Sequence, residues 1–257
     1  MLISLPKISS STPSRKKRHL THSYVDAAFY SLMVGLGETY LPALMLALGY
    51  SQLSSGYISV VPVCVGSFVQ LLAMKAMYWL RSNKKLVLIC GSLQAFSLFL
   101  IGLLPLAKAP SVEAFFLLSS LYWAAGLTAG PAWNAWIGSI VPVGIRARFF
   151  SQRSRLAHFF ICMGLVGAGF LLHHFEEKPE LLLCFSGIML GGALCRVGSV
   201  TFLMLQPEPT TARKFRPMSV LASLRWLSSG PIKFVVLFQF ATQICVQLSA
   251  PFFNPFM

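Results

Sequence analysis

Seven long runs of apolar residues dominate this 257-residue chain, and they restrict its fold more than any other feature. They occupy residues 24–48, 54–79, 86–106, 114–141, 156–175, 181–205 and 233–257. A helix needs roughly 20 apolar residues to cross about 30 Å of hydrocarbon, so each run is long enough to span a bilayer. Runs this long and uniform lack the alternation of membrane-barrel strands. The sequence therefore predicts an all-α membrane protein.

The composition excludes a water-soluble protein. The chain is 56% hydrophobic and 11% charged, whereas soluble domains carry about 25% charged residues. Its net charge of +14 is of the kind found in nucleic-acid-binding proteins. The basic residues, however, form short clusters between the apolar runs, so we predict a lipid bilayer as partner and no nucleic acid. No zinc-protease helix motif, nucleophile elbow or phosphate-binding glycine loop is present. We expect no enzyme activity, no cofactor and no metal site.

The distribution of Lys and Arg predicts the orientation of the chain. Eighteen of the 21 basic residues lie in the N-terminal segment and in the second, fourth and sixth connections. The first, third and fifth connections hold only Lys108 and Lys178. Because cytoplasmic loops carry the excess of Lys and Arg, we expect the N-terminus in the cytoplasm of a multi-pass protein of the inner cell membrane.

The spacing of the runs divides the chain into four segments. The longest break is rich in proline and basic residues and follows the sixth run. The predicted segments are a basic cytoplasmic tail (1–23), a six-helix transmembrane bundle (24–205), a basic cytoplasmic linker (206–232) and a seventh, truncated transmembrane helix (233–257).

Residues 76–85, which follow the second run, resemble an element of the major facilitator superfamily of secondary transporters. That element places Gly, Asp-Arg, Gly and two basic residues at fixed positions, and Arg81, Lys84 and Lys85 match its basic positions. The other fixed positions hold different residues in this chain, namely Ala76, Leu80 and Asn83. The resemblance implies a gating or cytoplasmic-loop role for Arg81, Lys84 and Lys85.

A second stretch is similar to the same superfamily. Pro142, followed by Arg146 and Arg148, resembles the proline and Arg-x-Arg element after the fourth span, and it implies a gating or loop role for both arginines. Tyr122 stands where many antiporters of the superfamily carry Arg, so a proton antiporter is not implied. The similarity covers almost the whole chain, but the superfamily has twelve spans. It implies a six-helix bundle like the N-terminal half of such a permease, plus one further transmembrane helix.

Glu38 is the strongest candidate for a functional side chain. In the superfamily that the chain resembles, the first, fourth and seventh helices face a central cavity, and Glu38 lies about 14 residues, or roughly 21 Å, into the first run. A charged carboxylate at the centre of a span costs about 2.5 to 3.5 kcal/mol, so such a residue is rarely idle. The alternative places Glu38 at the outer boundary, in water.

Polar and aromatic residues of the fourth and seventh runs complete the predicted solute site. Trp133 and Asn134 belong to a kinked aromatic patch of the fourth run that could stack on a solute. An aromatic belt with ordinary helix packing is the alternative. In the seventh run Gln239, Gln243 and Gln247 follow one another at four-residue spacing, so they share one helix face. Helix-to-helix hydrogen bonds are the alternative for this stripe.

Two further charged residues lie within or near the runs. Asp26 is one turn from the cytoplasmic end of the first run, where it would be solvated or paired with the basic tail. Arg196 lies in the sixth run, and we expect a structural pairing for it that does not involve Glu38.

Two functions remain open at this point. The first is a permease that moves a small solute by alternating access. The second is a truncated half-permease without transport activity of its own, which acts as a membrane interaction subunit. The expected partners are a small-molecule solute and the bilayer, with a separate C-terminal half or a second copy of the chain as a further partner.

Overall fold

The computed structural model describes residues 13–107, 111–208, 230 and 232–253, with side chains described for residues 20–107, 111–208, 230 and 233–246. These residues form nine α-helices and two short 3₁₀ turns, without a β-strand among them. The helices are α1 (Pro13–Leu36), α2 (Leu41–Ala47), α3 (Gln52–Gln70), α4 (Ala73–Leu80), α5 (Asn83–Leu103), α6 (Val112–Ile140), α7 (Val143–Phe175), α8 (Leu181–Met204) and α9 (Ile232–Phe253). Residues 1–12 of the predicted tail and residues 209–229 of the predicted linker lie outside the described residues.

Six helical segments are long and apolar enough to cross a membrane. They are Leu20–Ala47, Gln52–Gln70, Asn83–Leu106, Val112–Ile140, Val143–Phe175 and Leu181–Met204. The prediction of an all-α, multi-pass membrane protein is therefore confirmed. We refer to these segments as the first to sixth spans. Helix α9 forms where the seventh run was predicted, and its described apolar stretch, Lys233–Val246, ends at the last residue whose side chain is described.

Serine side chains fix the start of three helices. The Oγ atoms of Ser51, Ser82 and Ser111 each accept a hydrogen bond from a backbone N–H three residues later. This satisfies an amide that the first helical turn leaves without a partner. The first turns of α3, α5 and α6 are thereby stabilised.

Helix α7 begins earlier than the apolar pattern predicts. The fifth run was predicted from residue 156, whereas α7 starts at Val143 and is 33 residues long. The basic residues expected in a fourth loop are helical because Arg is a good helix former and residues 143–155 include no proline. Helix α1 likewise begins at Pro13, within the predicted tail, where proline suits a first helical position.

The contacts between the six spans are internally symmetric. The same helix pairs result when the first three spans are exchanged for the last three. Helix α1 packs on α7 and α8, α6 packs on α3 and α5, and α5 packs on α8. Exchanging α1 with α6, α3 with α7 and α5 with α8 returns the same set of pairs. Two spans lie between the members of each equivalent pair, so equivalent helices run in opposite directions through the bundle.

Glycines allow close approach at two equivalent crossings of this pattern. A Cβ atom on Gly35 of α1 would lie 2.4 Å from the carbonyl oxygen of Ile161 and 3.0 Å from Cα of Gly164 in α7. A Cβ atom on Gly66 of α3 would lie 2.9 Å from backbone atoms of α6. Small residues at such crossings let helix backbones approach within a membrane.

The outer helices bury little of their surface. Only 11% of the apolar segment of α7 and 22% of that of α3 is buried, against 56% for the central helix α5. In α9 every described side chain from Lys233 to Val246 is exposed.

Candidate functional site

The first span is interrupted near its middle by a 3₁₀ turn. Helix α1 ends at Leu36, the turn covers Glu38–Tyr40, and α2 begins at Leu41. Pro42 explains the interruption, because it has no N–H and its ring excludes the carbonyl of the residue four positions earlier, Glu38. That carbonyl accepts a hydrogen bond from the N–H of Leu41 instead. The turn therefore satisfies this carbonyl while interrupting the α-helix at Glu38.

Glu38 forms a hydrogen bond across the bundle to the fourth span. The hydroxyl of Tyr122, in α6, donates to Oε2 of Glu38 over 2.8 Å. Tyr122 is fully buried, whereas the Glu38 side chain is only half-buried. Tyr122 is the one hydrogen-bond partner of this carboxylate within the described part of the chain. The arrangement favours a position inside the protein over the alternative of a freely solvated boundary residue.

A second polar cluster lies nearer the N-terminal end of α1. Asp26 is 2% exposed, and its Oδ2 forms an ion pair of 3.0 Å with Nη2 of Arg153 in α7. Its Oδ1 accepts a hydrogen bond of 2.7 Å from Ser199 in α8. The expectation that Asp26 is solvated or paired with the tail is therefore wrong, because the early start of α7 brings Arg153 next to α1.

Arg196 joins this cluster through Ser199. The guanidinium group is 4% exposed and donates from Nη1 to Oγ of Ser199 over 2.8 Å. Its other face lies 4.8 Å from the ring centroid of Tyr30 in α1. Gly91 of α5 makes room for it, since a Cβ atom there would lie 3.1 Å from Nη2. As expected, Arg196 forms a structural pairing and no ion pair with Glu38.

The predicted aromatic patch of the fourth span belongs to this second cluster. The guanidinium of Arg153 lies 4.1 Å from the ring centroid of Trp133. Trp133 follows Tyr122 by eleven residues, or roughly 16 Å along the helix, so it does not share a site with Glu38. Asn134 is exposed. The polar residues predicted to line one path thus lie at two levels of the bundle.

The described part of the structure does not place the glutamine stripe of α9 next to Glu38. Gln239 and Gln243 are exposed on α9. The side chain of Gln247 lies outside the described residues. Their role in lining a path stays a prediction.

Two of the basic loop residues stabilise helix ends. Lys84 donates from Nζ to the carbonyls of Met204 and Gln206, at 2.7 and 2.6 Å, where α8 ends. Arg146 donates to the carbonyls of Gly138 and Val141, where α6 ends. Cations at a helix C-terminus satisfy free carbonyls and the helix dipole. The other three basic candidates are exposed: Arg81, Lys85 and Arg148.

The partners that hold the two carboxylates are not predicted from the sequence. In the sequence Tyr122 is distinguished only as a replacement for Arg, and Arg153 is one of the basic residues of the predicted fourth loop. One available signal was the four-residue spacing of Asp26 and Tyr30, which places them on one face of α1. The other was the spacing of Arg196 and Ser199, which share a face of α8.

Comparisons with known proteins leave the site to be judged by its geometry. Among the residues that the structure describes, no three His, Cys, Asp or Glu side chains lie together as a metal site. No protein-family model matches the chain, and no curated protein matches it. The likeness to the major facilitator superfamily therefore stays an expectation from its sequence motifs.

Proposed function

We propose that this chain is a secondary-transporter-like permease that moves a small solute by alternating access. In this proposal its six-helix bundle has the arrangement of a major facilitator half and α9 is a seventh span. The N-terminus lies in the cytoplasm and the protein lies in the inner cell membrane. The observation that carries the proposal is the half-buried carboxylate of Glu38 at the interruption of the first span, bonded to Tyr122 of the fourth span.

The chemistry of this position supports a transport role. Acidic residues within spans are costly and are found where solutes, ions or protons pass. Interrupted helices are a recurring way in which transporters build such sites near the middle of the bilayer. Glu38 combines both features, and its partial exposure leaves the carboxylate open to a ligand.

The pairing of the helices gives independent support. Many secondary transporters are built from repeats of inverted topology, with the solute site near the repeat interface. The contacts between α1, α3 and α5 on one side and α6, α7 and α8 on the other are the same when the two sets are exchanged. Glu38 and Tyr122 belong to the first and fourth spans, the equivalent first spans of the two sets.

An uptake measurement with Glu38→Gln tests the proposal. The wild-type chain and the variant are reconstituted in sealed vesicles, and a mixture of small cellular solutes is offered outside. We expect at least one solute to accumulate with wild type and to lose about tenfold or more of its initial rate with Glu38→Gln, because a charged hydrogen-bond partner is removed. Glu113→Gln is the matched control, since Glu113 is an exposed acid in the first turn of α6. Equal uptake by wild type and Glu38→Gln would contradict the proposal.

A second function, a membrane interaction subunit without transport activity, is favoured by the exposed surface. Helices α3 and α7 bury little, and the described side chains of α9 are exposed. A separate C-terminal half or a second copy of the chain would then cover these helices. This function is supported if wild type moves no solute and cysteines at Gln239 and Gln243 cross-link to another chain in the membrane.

A further inference from the structure

The second cluster holds one carboxylate and two guanidinium groups, and none of its cations forms an ion pair with Glu38. Asp26 is paired with Arg153 and is linked to Arg196 through Ser199. Arg196 in turn rests on the ring of Tyr30. No cation lies within ion-pair distance of Glu38 among the described residues. Its one hydrogen-bond donor there is the neutral hydroxyl of Tyr122.

A carboxylate away from bulk water needs more than one neutral donor. Removing an ionised carboxylate from water is expensive unless a cation or several hydrogen bonds replace the hydration. An anionic solute would add repulsion at this position. A group that brings positive charge replaces this hydration more strongly than further neutral donors do.

Aromatic rings lie on the donor side of the same carboxylate. Tyr122 donates to Glu38 and contacts Trp123 edge-on, with ring centroids 6.0 Å apart. The ring of Tyr30 is not counted with them, because Arg196 lies over it. A carboxylate beside aromatic rings is a chemistry that recognises organic cations, because ring faces attract positive charge. We call Glu38, Tyr122 and Trp123 the Glu38 site.

We propose that the Glu38 site binds the cationic group of a monovalent organic solute. This inference rests on the proposed transport function and names the charge class of its solute. The carboxylate of Glu38 supplies the counter-charge, Tyr122 fixes its orientation by the 2.8 Å hydrogen bond, and the neighbouring rings contact the apolar part of the cation.

A binding measurement with two probes of opposite charge tests the inference. The purified full chain in nanodiscs is dialysed to equilibrium against benzyltrimethylammonium or against benzenesulfonate. We expect wild type to bind the ammonium probe at least about tenfold more tightly than the sulfonate. Glu38→Gln should weaken binding of the ammonium probe by about tenfold or more, while Glu38→Asp keeps the charge and most of the affinity. Glu113→Gln should bind both probes as wild type does.

Several results would overturn the inference. Equal affinity of wild type for the two probes is one, and it needs no variant that might fold poorly. Unchanged binding of the ammonium probe by a folded Glu38→Gln variant is another. A carboxyl of Glu38 that is kept neutral by a bound proton would bind the two probes with similar affinity, and that result also overturns the inference. A chain that binds the ammonium probe but moves no solute contradicts the transport proposal alone. A chain that transports a solute yet prefers the sulfonate contradicts this inference alone.

Discussion

At the scale of single residues, the two carboxylates of the first span differ in the partners that hold them. Asp26 is enclosed by an arginine and a serine, and it is nearly inaccessible. Glu38 has one tyrosine hydroxyl and remains half-buried. A fully paired carboxylate stabilises the bundle, whereas a carboxylate with a free coordination position is able to exchange partners.

The bond between Glu38 and Tyr122 predicts a coupled effect on stability. Tyr122→Phe should lower the free energy of unfolding by about 1–3 kcal/mol, because it leaves a charged acceptor without its donor. In Glu38→Gln the same tyrosine substitution should cost less. A double-mutant cycle measured by thermal unfolding in detergent gives the coupling energy. Additive effects of the two substitutions would show that the bond contributes nothing to stability.

The ion pair between Asp26 and Arg153 predicts a larger loss of stability than the bond between Glu38 and Tyr122 does. Asp26→Ala should destabilise the chain by about 3 kcal/mol or more, since breaking a buried pair leaves Arg153 without its counter-charge. The double variant Asp26→Ala with Arg153→Met should recover part of that loss. Arg155→Met is the control, because Arg155 is exposed on the same helix. Chemical unfolding that reports equal stability for Asp26→Ala and wild type would refute the structural role.

At the scale of helices, prolines and glycines decide the shape of the elements around the site. Pro42 coincides with the interruption of the first span, whereas Pro62 and Pro131 lie inside helices that continue through them. Arg81 ends α4 with φ of 50°, in the left-handed region that side chains rarely adopt. Gly35 allows α1 to approach α7 closely enough for Arg153 to reach Asp26.

The crossing of α1 and α7 predicts a steric effect at Gly35. Gly35→Ala should destabilise the chain by about 1–3 kcal/mol, because its Cβ atom would lie 2.4 Å from a backbone oxygen of α7 and the helices must separate. Gly167→Ala is the matched control, since a Cβ atom there meets nothing within 4 Å. Thermal unfolding of the two variants side by side measures the difference, and equal melting temperatures would contradict the close crossing.

At the scale of the whole molecule, the helix pairs of the bundle are the same when its first three spans are exchanged for its last three. The outer faces of α3 and α7 are left uncovered by the described residues. In a membrane these faces meet lipid or another protein surface.

The distribution of Lys and Arg predicts how the whole chain is oriented in the membrane. Single cysteines are placed in a cysteine-free background at Ser111, just before α6, and at Val143, the first residue of α7, both of which are exposed. An impermeant thiol reagent added outside intact cells should label the cysteine at Ser111, because the positive-inside rule places this end outside. The cysteine at Val143 should be labelled only after the membrane is opened. The reverse labelling pattern would contradict an N-terminus in the cytoplasm.

The sequence by itself determined the class of the fold and the positions of the first six long spans. Apolar runs of 20 residues or more leave a helix as the structure that bonds every backbone amide internally. The same cost of burying charge identified Glu38 as a candidate from its depth in the first run. Both inferences depend only on residues that are close together in the chain.

Only the tertiary structure decided which side chains meet. Tyr122 lies 84 residues from Glu38, and Arg153 lies 127 residues from Asp26. Apolar runs of similar composition do not specify which helices are neighbours, since lipid-facing and buried positions both favour apolar side chains. Helix pairing depends on small residues and polar partners on particular helix faces. Their contacts can be identified only once α1 is known to lie against α7 and α8. The sequence therefore indicated Glu38, and the packing of distant helices supplied its partner.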